Sequence, residues 1–154
     1  MTETEFTAFL ERSIPEYADE KVKAGNWAAE ESLQKSRESH AKLLPHGLST
    51  PDNYLFTIEH DGKTVGNLWL AIQHRPDGPI GFVYDVYIAE PFRRRGIAAN
   101  AMRLLEEEAP RLGLHSLALH VFGDNAAARA LYEKLGYEIT NVNMSKNLPR
   151  RGME

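Results

Sequence analysis

The pattern of apolar and polar positions divides the chain into a helical N-terminal third and a mixed remainder. Apolar residues three or four positions apart predict a first helix, interrupted near Pro15 and ending at Gly25, and a second helix over 28–44. The first apolar stripe consists of Phe6, Phe9, Leu10 and Ile14. Two amphipathic helices are therefore expected before the first strand.

Runs of β-branched and aromatic residues predict strands in the rest of the chain. Asp61-Gly62 is a strong two-residue hairpin signal between the first two runs. Pro110 is expected to end or kink the helix that contains it. The predicted strands are 54–60, 64–72, 80–88, 117–122 and 137–147, and the helices between them are 96–112 and 126–135. This order predicts a mixed sheet with helices on its faces.

A basic loop follows the third predicted strand and leads directly into a helix. The loop carries Arg93, Arg94 and Arg95, and the helix opens at Gly96. The start of a helix presents free main-chain N–H groups and the positive end of the helix dipole, which together favour phosphate. Gly96 and Ala98 lack bulk, so the backbone can approach a ligand closely. We interpret the loop as a pyrophosphate site, with a solvated arginine-rich turn as the alternative.

Two sequence motifs resemble those of the GCN5-related N-acetyltransferase (GNAT) superfamily. The first, which is similar to the family's (Arg/Gln)-x-x-Gly-x-(Gly/Ala) signature, consists of Arg93, Arg94, Arg95, Gly96, Ile97 and Ala98. The second consists of Leu119, Val121, Asn125, Ala128 and the run from Leu131 to Tyr137. The motifs occur in the family's order, with a helix and a strand between them, and the similarity extends over about 54–148.

The resemblance implies the GNAT acyl-CoA N-acyltransferase fold, an α/β (α+β) fold whose mixed central sheet is flanked by helices. A single domain over 1–154 is expected, in agreement with the usual domain length, with the cofactor motifs in 80–137. Family members usually begin with a strand before the first helix. Only five residues precede the first apolar helical position here, so that strand is expected to be missing or very short.

The resemblance also implies that the chain binds acetyl-coenzyme A (acetyl-CoA). In the family the basic loop holds the diphosphate of the cofactor. The pantetheine arm would lie beside strand 80–88, where strand 117–122 splays away, and would bond the main chain of Val86, Tyr87 and Ile88. Asn125 matches the position that bonds the pantetheine or the phosphate, and a simple N-cap is an equally good interpretation.

For catalysis, the resemblance assigns Tyr132 to protonation of the departing thiolate, and a packing role is its alternative. A phenol has a pKa near 10, which suits this donation. Asp85 is the best-placed carboxylate for the general base. Glu59, His120 and water remain candidates, and Asp85 is equally well explained as a structural carboxylate. Alternation places Asp85 on the face of the sheet opposite its neighbour Val86, unless a bulge intervenes.

The expected activity is transfer of an acetyl group to a primary amine of a small molecule, protein or peptide. Direct attack in a ternary complex is favoured, because the sequence contains no cysteine and no serine in a nucleophile-elbow motif. A non-catalytic acyl-CoA-binding regulatory module is the alternative. The resemblance also leaves a homodimer open, since family members often dimerise.

Composition limits the kinds of partner, the metal sites and the cellular location that are expected for this chain. The formal net charge of −4 argues against a general nucleic-acid surface, and no apolar run approaches the roughly 20 residues that cross a bilayer. The absence of cysteine excludes disulfides and thiolate metal sites, and no histidine pairs with a carboxylate at a ligand spacing, so no metal is predicted. The expected location is the cytoplasm.

Overall fold

The structure is a computed structural model that describes residues 1–152. It contains four α-helices, four strands and three short 3₁₀ turns in this part of the chain. In chain order these are α1 (Glu3–Lys23), α2 (Ala29–Leu43), β1 (Asn53–His60), β2 (Lys63–Arg75), β3 (Gly78–Ile88), α3 (Ile97–Glu108), β4 (Leu117–Leu119) and α4 (Ala126–Lys134). None of the helices within 1–152 is both long and apolar enough to cross a membrane.

The four strands form one mixed sheet in the order β1-β2-β3-β4. The pairs β1–β2 and β2–β3 are antiparallel, whereas β3 and β4 run parallel. The parallel pairing is short, because it joins only Gly81–Val83 to Leu117–Leu119. Beyond Val83, no other strand of the described residues pairs with that edge of β3. The predicted α/β class, a mixed sheet flanked by helices, is confirmed.

Two apolar clusters cover opposite faces of this sheet. On one face, Leu70 and Val83 pack against Met102 of α3, and neither Leu70 nor Met102 has any exposed surface. On the other face, Trp69 packs against Phe9 of α1. Adjacent residues of β2 thus point to opposite faces, as strand geometry requires. The pair of N-terminal helices and helix α3 therefore sandwich the sheet.

A β-bulge in β3 changes which residues share a face. Val83 is paired with Leu70 and Asp85 with Trp69, so that Tyr84 is an extra residue on β3. Without the extra residue, Val83 and Asp85 would point to the same face of the sheet. With it, Val83 packs in the cluster on the α3 side, whereas Asp85 bonds Arg12 of α1 on the opposite side.

The N-terminal helices differ from the sequence prediction at one point. The interruption expected near Pro15 is wrong, because α1 continues through it. Proline removes one helical hydrogen bond, and the exposed position of Pro15 leaves the unpaired carbonyl accessible to water. A capping box between Thr2 and Glu5 fixes the start of the helix. Only two residues precede α1, so the family's first strand is absent from the described part of the chain.

Two predictions for the C-terminal part of the sheet are wrong. The strand expected over 117–122 ends at Leu119, and the strand expected over 137–147 does not form. Three asparagines in 137–147 disfavour a strand, and β4 is too short to support a long ladder. Apart from Tyr137, which packs on the core, the large apolar side chains here are exposed, and they are Ile139, Val142, Met144 and, just beyond the predicted strand, Leu148. The sheet therefore ends at β4.

Candidate active site

The basic loop before α3 presents a row of free main-chain donors. Arg94 and Gly96 both adopt left-handed backbone conformations, with φ of 65° and 75°, and Gly96 is the N-cap of α3. Within residues 1–152, no hydrogen bond uses the main-chain N–H groups of 94–99. Donors of this kind at a helix start form a binding site for an anion. The backbone of this loop therefore has the properties that a diphosphate site needs.

The arginine side chains of this loop differ in what they contact. Arg93 donates from Nε to the carbonyl oxygen of Ile88 at 2.7 Å, which ties the loop to the end of β3. The guanidinium of Arg95 lies 5.8 Å from the centroid of the Phe92 ring. Arg94 and Arg95 are exposed and form no ion pair with another residue of the described chain. Two guanidinium groups are thus available to a ligand.

The free edge of β3 offers main-chain donors beside the loop. Ala89 donates to the carbonyl oxygen of Val65 in β2 at 2.7 Å. Because N–H groups alternate along a strand, those of Val86 and Ile88 point away from β2, towards the unpaired edge. The main chain of Tyr87 points towards β2, and its ring lies 3.8 Å from the Arg12 guanidinium. Two N–H groups are thus available in the gap beyond the last paired residue of β4.

Tyr132 lies on α4, whose start is fixed by Asn125. The Asn125 side chain accepts a hydrogen bond from the N–H of Ala128 at 3.1 Å, so the predicted N-cap is present. The Tyr132 ring packs on the core cluster and against Tyr137, at 5.8 Å between centroids. Burial, and then the negative charge of Asp85, raise the pKa of Tyr132. The phenol therefore keeps its proton at neutral pH.

Asp85 is held by two donors through one of its oxygens. Its Oδ2 accepts from Arg12 at 2.6 Å and from the Asn67 side-chain amide at 2.9 Å. Arg12 also donates to Glu16 at 2.7 Å. No hydrogen bond within 1–152 uses Oδ1 of Asp85. The carboxylate is thus fixed in orientation while one oxygen remains available.

Sequence reasoning did not identify Arg12. A signal was present, because Arg12 follows Phe9 by three positions and so lies on the buried face of α1. A charged residue on an apolar face needs a partner. Its partner Asp85 is 73 positions away in the chain, and local sequence patterns do not reveal such a pairing.

The other candidate bases lie away from this group. Glu59 is exposed next to the β1–β2 hairpin, on a strand that β2 separates from β3. His120 is exposed after the end of β4, and its ring contacts Phe122 at 4.9 Å between centroids. In the described residues, no group of three or more histidine, aspartate and glutamate side chains could hold a metal ion. The geometry therefore favours Asp85 among the three strand residues.

Comparison with known proteins identifies the class to which this fold and site belong. The model of the acetyltransferase (GNAT) family matches residues 15–137. The chain belongs to the GNAT family, and the resemblance seen in its two motifs is confirmed. Membership, together with relatives named as N-acetyltransferases, makes the chain an acetyltransferase.

Two relatives from Bacillus subtilis (strain 168) match nearly the whole chain. "Uncharacterized N-acetyltransferase YycN" is 39% identical over 150 residues, which is 96% of each chain. "Uncharacterized N-acetyltransferase YdgE" is 37% identical over 96% of this chain and 95% of its own. The crystal structure of YycN superposes with a TM-score of 0.89 and 38% identity, and covers 97% of this chain and 96% of that chain.

A more distant structure shares the fold and contains a ligand. The aminoglycoside N-acetyltransferase AAC(6')-Iy, solved with a bisubstrate analogue of CoA, has a TM-score of 0.57 and 17% identity. The similarity covers 76% of this chain and 80% of that chain. At this level of identity the likeness shows the fold alone.

Proposed function

We propose that the chain transfers the acetyl group of acetyl-CoA to a primary amine by direct attack. The observation that carries this proposal is the continuity of free donors from the β3 edge into the basic loop. The N–H groups of Val86 and Ile88 face the gap beside β4, and those of 94–99 continue from it to α3. This combination suits a ligand with an amide-bearing arm and a diphosphate, and a CoA analogue binds the distant neighbour AAC(6')-Iy.

In this proposal each feature of the site binds one part of the cofactor. The main chain of Val86 and Ile88 bonds the pantetheine arm as an added strand would, and one of these N–H groups polarises the acyl carbonyl. The loop from Arg93 to Ala98 binds the diphosphate. The Asn125 side-chain amide, whose oxygen already caps α4, has its N–H₂ free for the arm. Bound acetyl-CoA would supply the activated acyl group.

Two side chains are proposed to move protons. The amine nitrogen forms a bond to the acyl carbon, and the carbon–sulfur bond breaks. Asp85 takes the proton from the amine nitrogen through its free Oδ1, either directly or through water. Tyr132 gives its proton to the sulfur, and solvent returns the proton from Asp85 to Tyr132.

The experiment that tests this function is calorimetric titration with CoA of the wild type and of the Arg94→Gln/Arg95→Gln variant. These two arginines are chosen because Arg93 also bonds the Ile88 carbonyl and has a structural role. An exposed ion pair contributes up to about 1 kcal/mol, so losing two should weaken CoA binding by up to about 30-fold. Thiol release from acetyl-CoA across a panel of amines then tests turnover.

A matched control removes the same charge elsewhere. Arg103→Gln/Arg111→Gln changes two exposed arginines that follow the first turn of α3. Their side chains bond Asn100 and Glu108. The CoA affinity of this control should equal that of the wild type. Equal affinity in the Arg94/Arg95 variant would show that the loop does not bind the diphosphate. Failure of the wild type to bind CoA would refute the function as a whole.

A further inference from the structure

A cavity of about 110 Å³ lies between the N-terminal helices and the sheet, next to Asp85. One of its walls is aromatic. Trp69 and Tyr84 stack with 4.6 Å between ring centroids, and the His40 ring lies 6.1 Å from Trp69. Trp69 is buried, whereas Tyr84 is 36% exposed, so the stack is accessible from one side. Such a wall suits a short carbon chain or an ammonium group.

The charges around the cavity favour a cation. Three carboxylates line it, those of Glu16, Glu20 and Asp85, against one guanidinium, that of Arg12. Arg12 is already bonded to Glu16 and Asp85, so it is not free to bind a substrate carboxylate. Burial lowers the pKa of His40, so this side chain adds no positive charge at neutral pH. The cavity therefore attracts amines and repels acids.

Glu20 is the lining carboxylate without a partner. Glu20 is exposed, and within 1–152 its side chain forms no hydrogen bond or ion pair. Partial burial, and then the negative charges of Asp85, Glu16 and Asp124, raise the pKa of Glu20, and the positive charge of Lys23 opposes them only in part. A bound cation beside Glu20 would relieve this repulsion.

Two of the carboxylates that line the cavity have different surroundings. Asp85 precedes Val86, whose N–H is proposed to contact the acyl carbonyl, so an amine beside Asp85 is next to the reacting carbon. Glu20 lines the same cavity from the exposed surface of α1. The aromatic stack of Trp69 and Tyr84 belongs to the wall between the helices and the sheet. One compact molecule with a nitrogen at each end matches both carboxylates.

We propose that the acceptor is a small aliphatic diamine that carries no carboxylate. One amino group reacts beside Asp85, the carbon chain lies against the Trp69–Tyr84 stack, and the second group, as an ammonium ion, is held by Glu20. This inference rests on the proposed acetyl transfer and specifies its substrate class.

The test compares three amines that share a five-carbon chain, in acetylation assays with saturating acetyl-CoA. These are 1,5-diaminopentane, 1-aminopentane, which lacks the second cation, and lysine, which adds a carboxylate. We expect kcat/KM for the diamine to exceed that for each of the others by about tenfold or more. Equal or higher values for 1-aminopentane or lysine would overturn the proposal.

A variant then connects this preference to Glu20. Glu20→Gln should reduce the preference for 1,5-diaminopentane over 1-aminopentane to less than about threefold, through a raised KM for the diamine. Asp19→Asn is the matched control, because it makes the same change of charge at the neighbouring exposed position outside the cavity. Its preference should equal that of the wild type. A preference that persists in Glu20→Gln would overturn the assigned role of Glu20.

Failure of this inference is distinguishable from failure of the proposed function. CoA binding is measured by calorimetry without any amine, and the Arg94→Gln/Arg95→Gln variant reports on it independently. A protein that binds CoA but acetylates none of the three amines would refute the diamine class and leave the cofactor site intact. A protein that does not bind CoA would refute both.

Discussion

Replacing Tyr132 with phenylalanine should distinguish a catalytic role of its hydroxyl from a packing role of its ring. The ring retains its contacts with the core cluster and with Tyr137, so the free energy of unfolding should change by less than about 0.5 kcal/mol. Burial and the charge of Asp85 raise the pKa of Tyr132, so essentially every molecule carries the donated proton at neutral pH. Loss of a general acid typically slows the chemical step about 10²–10⁴-fold, which raises the barrier by about 2.7–5.4 kcal/mol.

The assay is single-turnover thiol release from acetyl-CoA with an amine that the wild type acetylates, together with calorimetry for CoA affinity. Affinity should be nearly unchanged, because the proton moves only as the sulfur departs. Tyr137→Phe is the matched control, since it removes the same hydroxyl from the neighbouring ring, which packs against Tyr132 and on the same core cluster. This control should react at the wild-type rate. An unchanged chemical rate in Tyr132→Phe would make Tyr132 a packing residue, and water would then protonate the thiolate.

Three further predictions concern stability. In a double-mutant cycle of Arg12→Gln and Asp85→Asn, followed by urea unfolding, we expect a coupling free energy of about 1.5 kcal/mol, and additivity would contradict the pairing. Because burial lowers the pKa of His40 below that in the unfolded chain, stability should fall as the pH drops from about 6.5 through the folded-state value, and His40→Gln should flatten this dependence in thermal unfolding. Gly66→Ala should lower the free energy of unfolding by about 1–3 kcal/mol, because its Cβ would overlap a carbonyl oxygen of β3. Gly123→Ala is its control, because the new Cβ has open space around it, and this variant should unfold like the wild type.

Local sequence signals predicted those parts of the structure that depend on neighbouring residues. The β1–β2 hairpin at Asp61-Gly62, the N-cap at Asn125 and the helix start at Gly96 are all where the sequence placed them. In each case the deciding interaction spans only a few residues, such as the bond from the Ala128 N–H to Asn125. The strand–loop–helix order around the basic loop was readable for the same reason.

Features that depend on distant residues were not predicted. The partner of Asp85 on α1 and the cavity between α1, α2 and the sheet require residues that meet only in the folded chain. The strand expected at 137–147 is the opposite kind of error, because local sequence predicted an element that the fold does not form. Its residues partly alternate, yet a strand needs a neighbour to pair with, and β4 offers only Leu117–Leu119, which pair with β3.

The β-bulge at Tyr84 explains how one strand serves both the core and the site. Gly81 donates to the Ser116 carbonyl, so before the bulge the odd-numbered N–H groups of β3 point towards β4. The extra residue shifts this alternation, and afterwards the N–H groups of Val86 and Ile88 point to that edge. The same shift turns the Asp85 side chain from the α3 side, where Val83 packs, to the cavity beside α1. A single inserted position thus sets both the proposed carbonyl donors and the proposed base, and Tyr84 itself becomes part of the cavity wall.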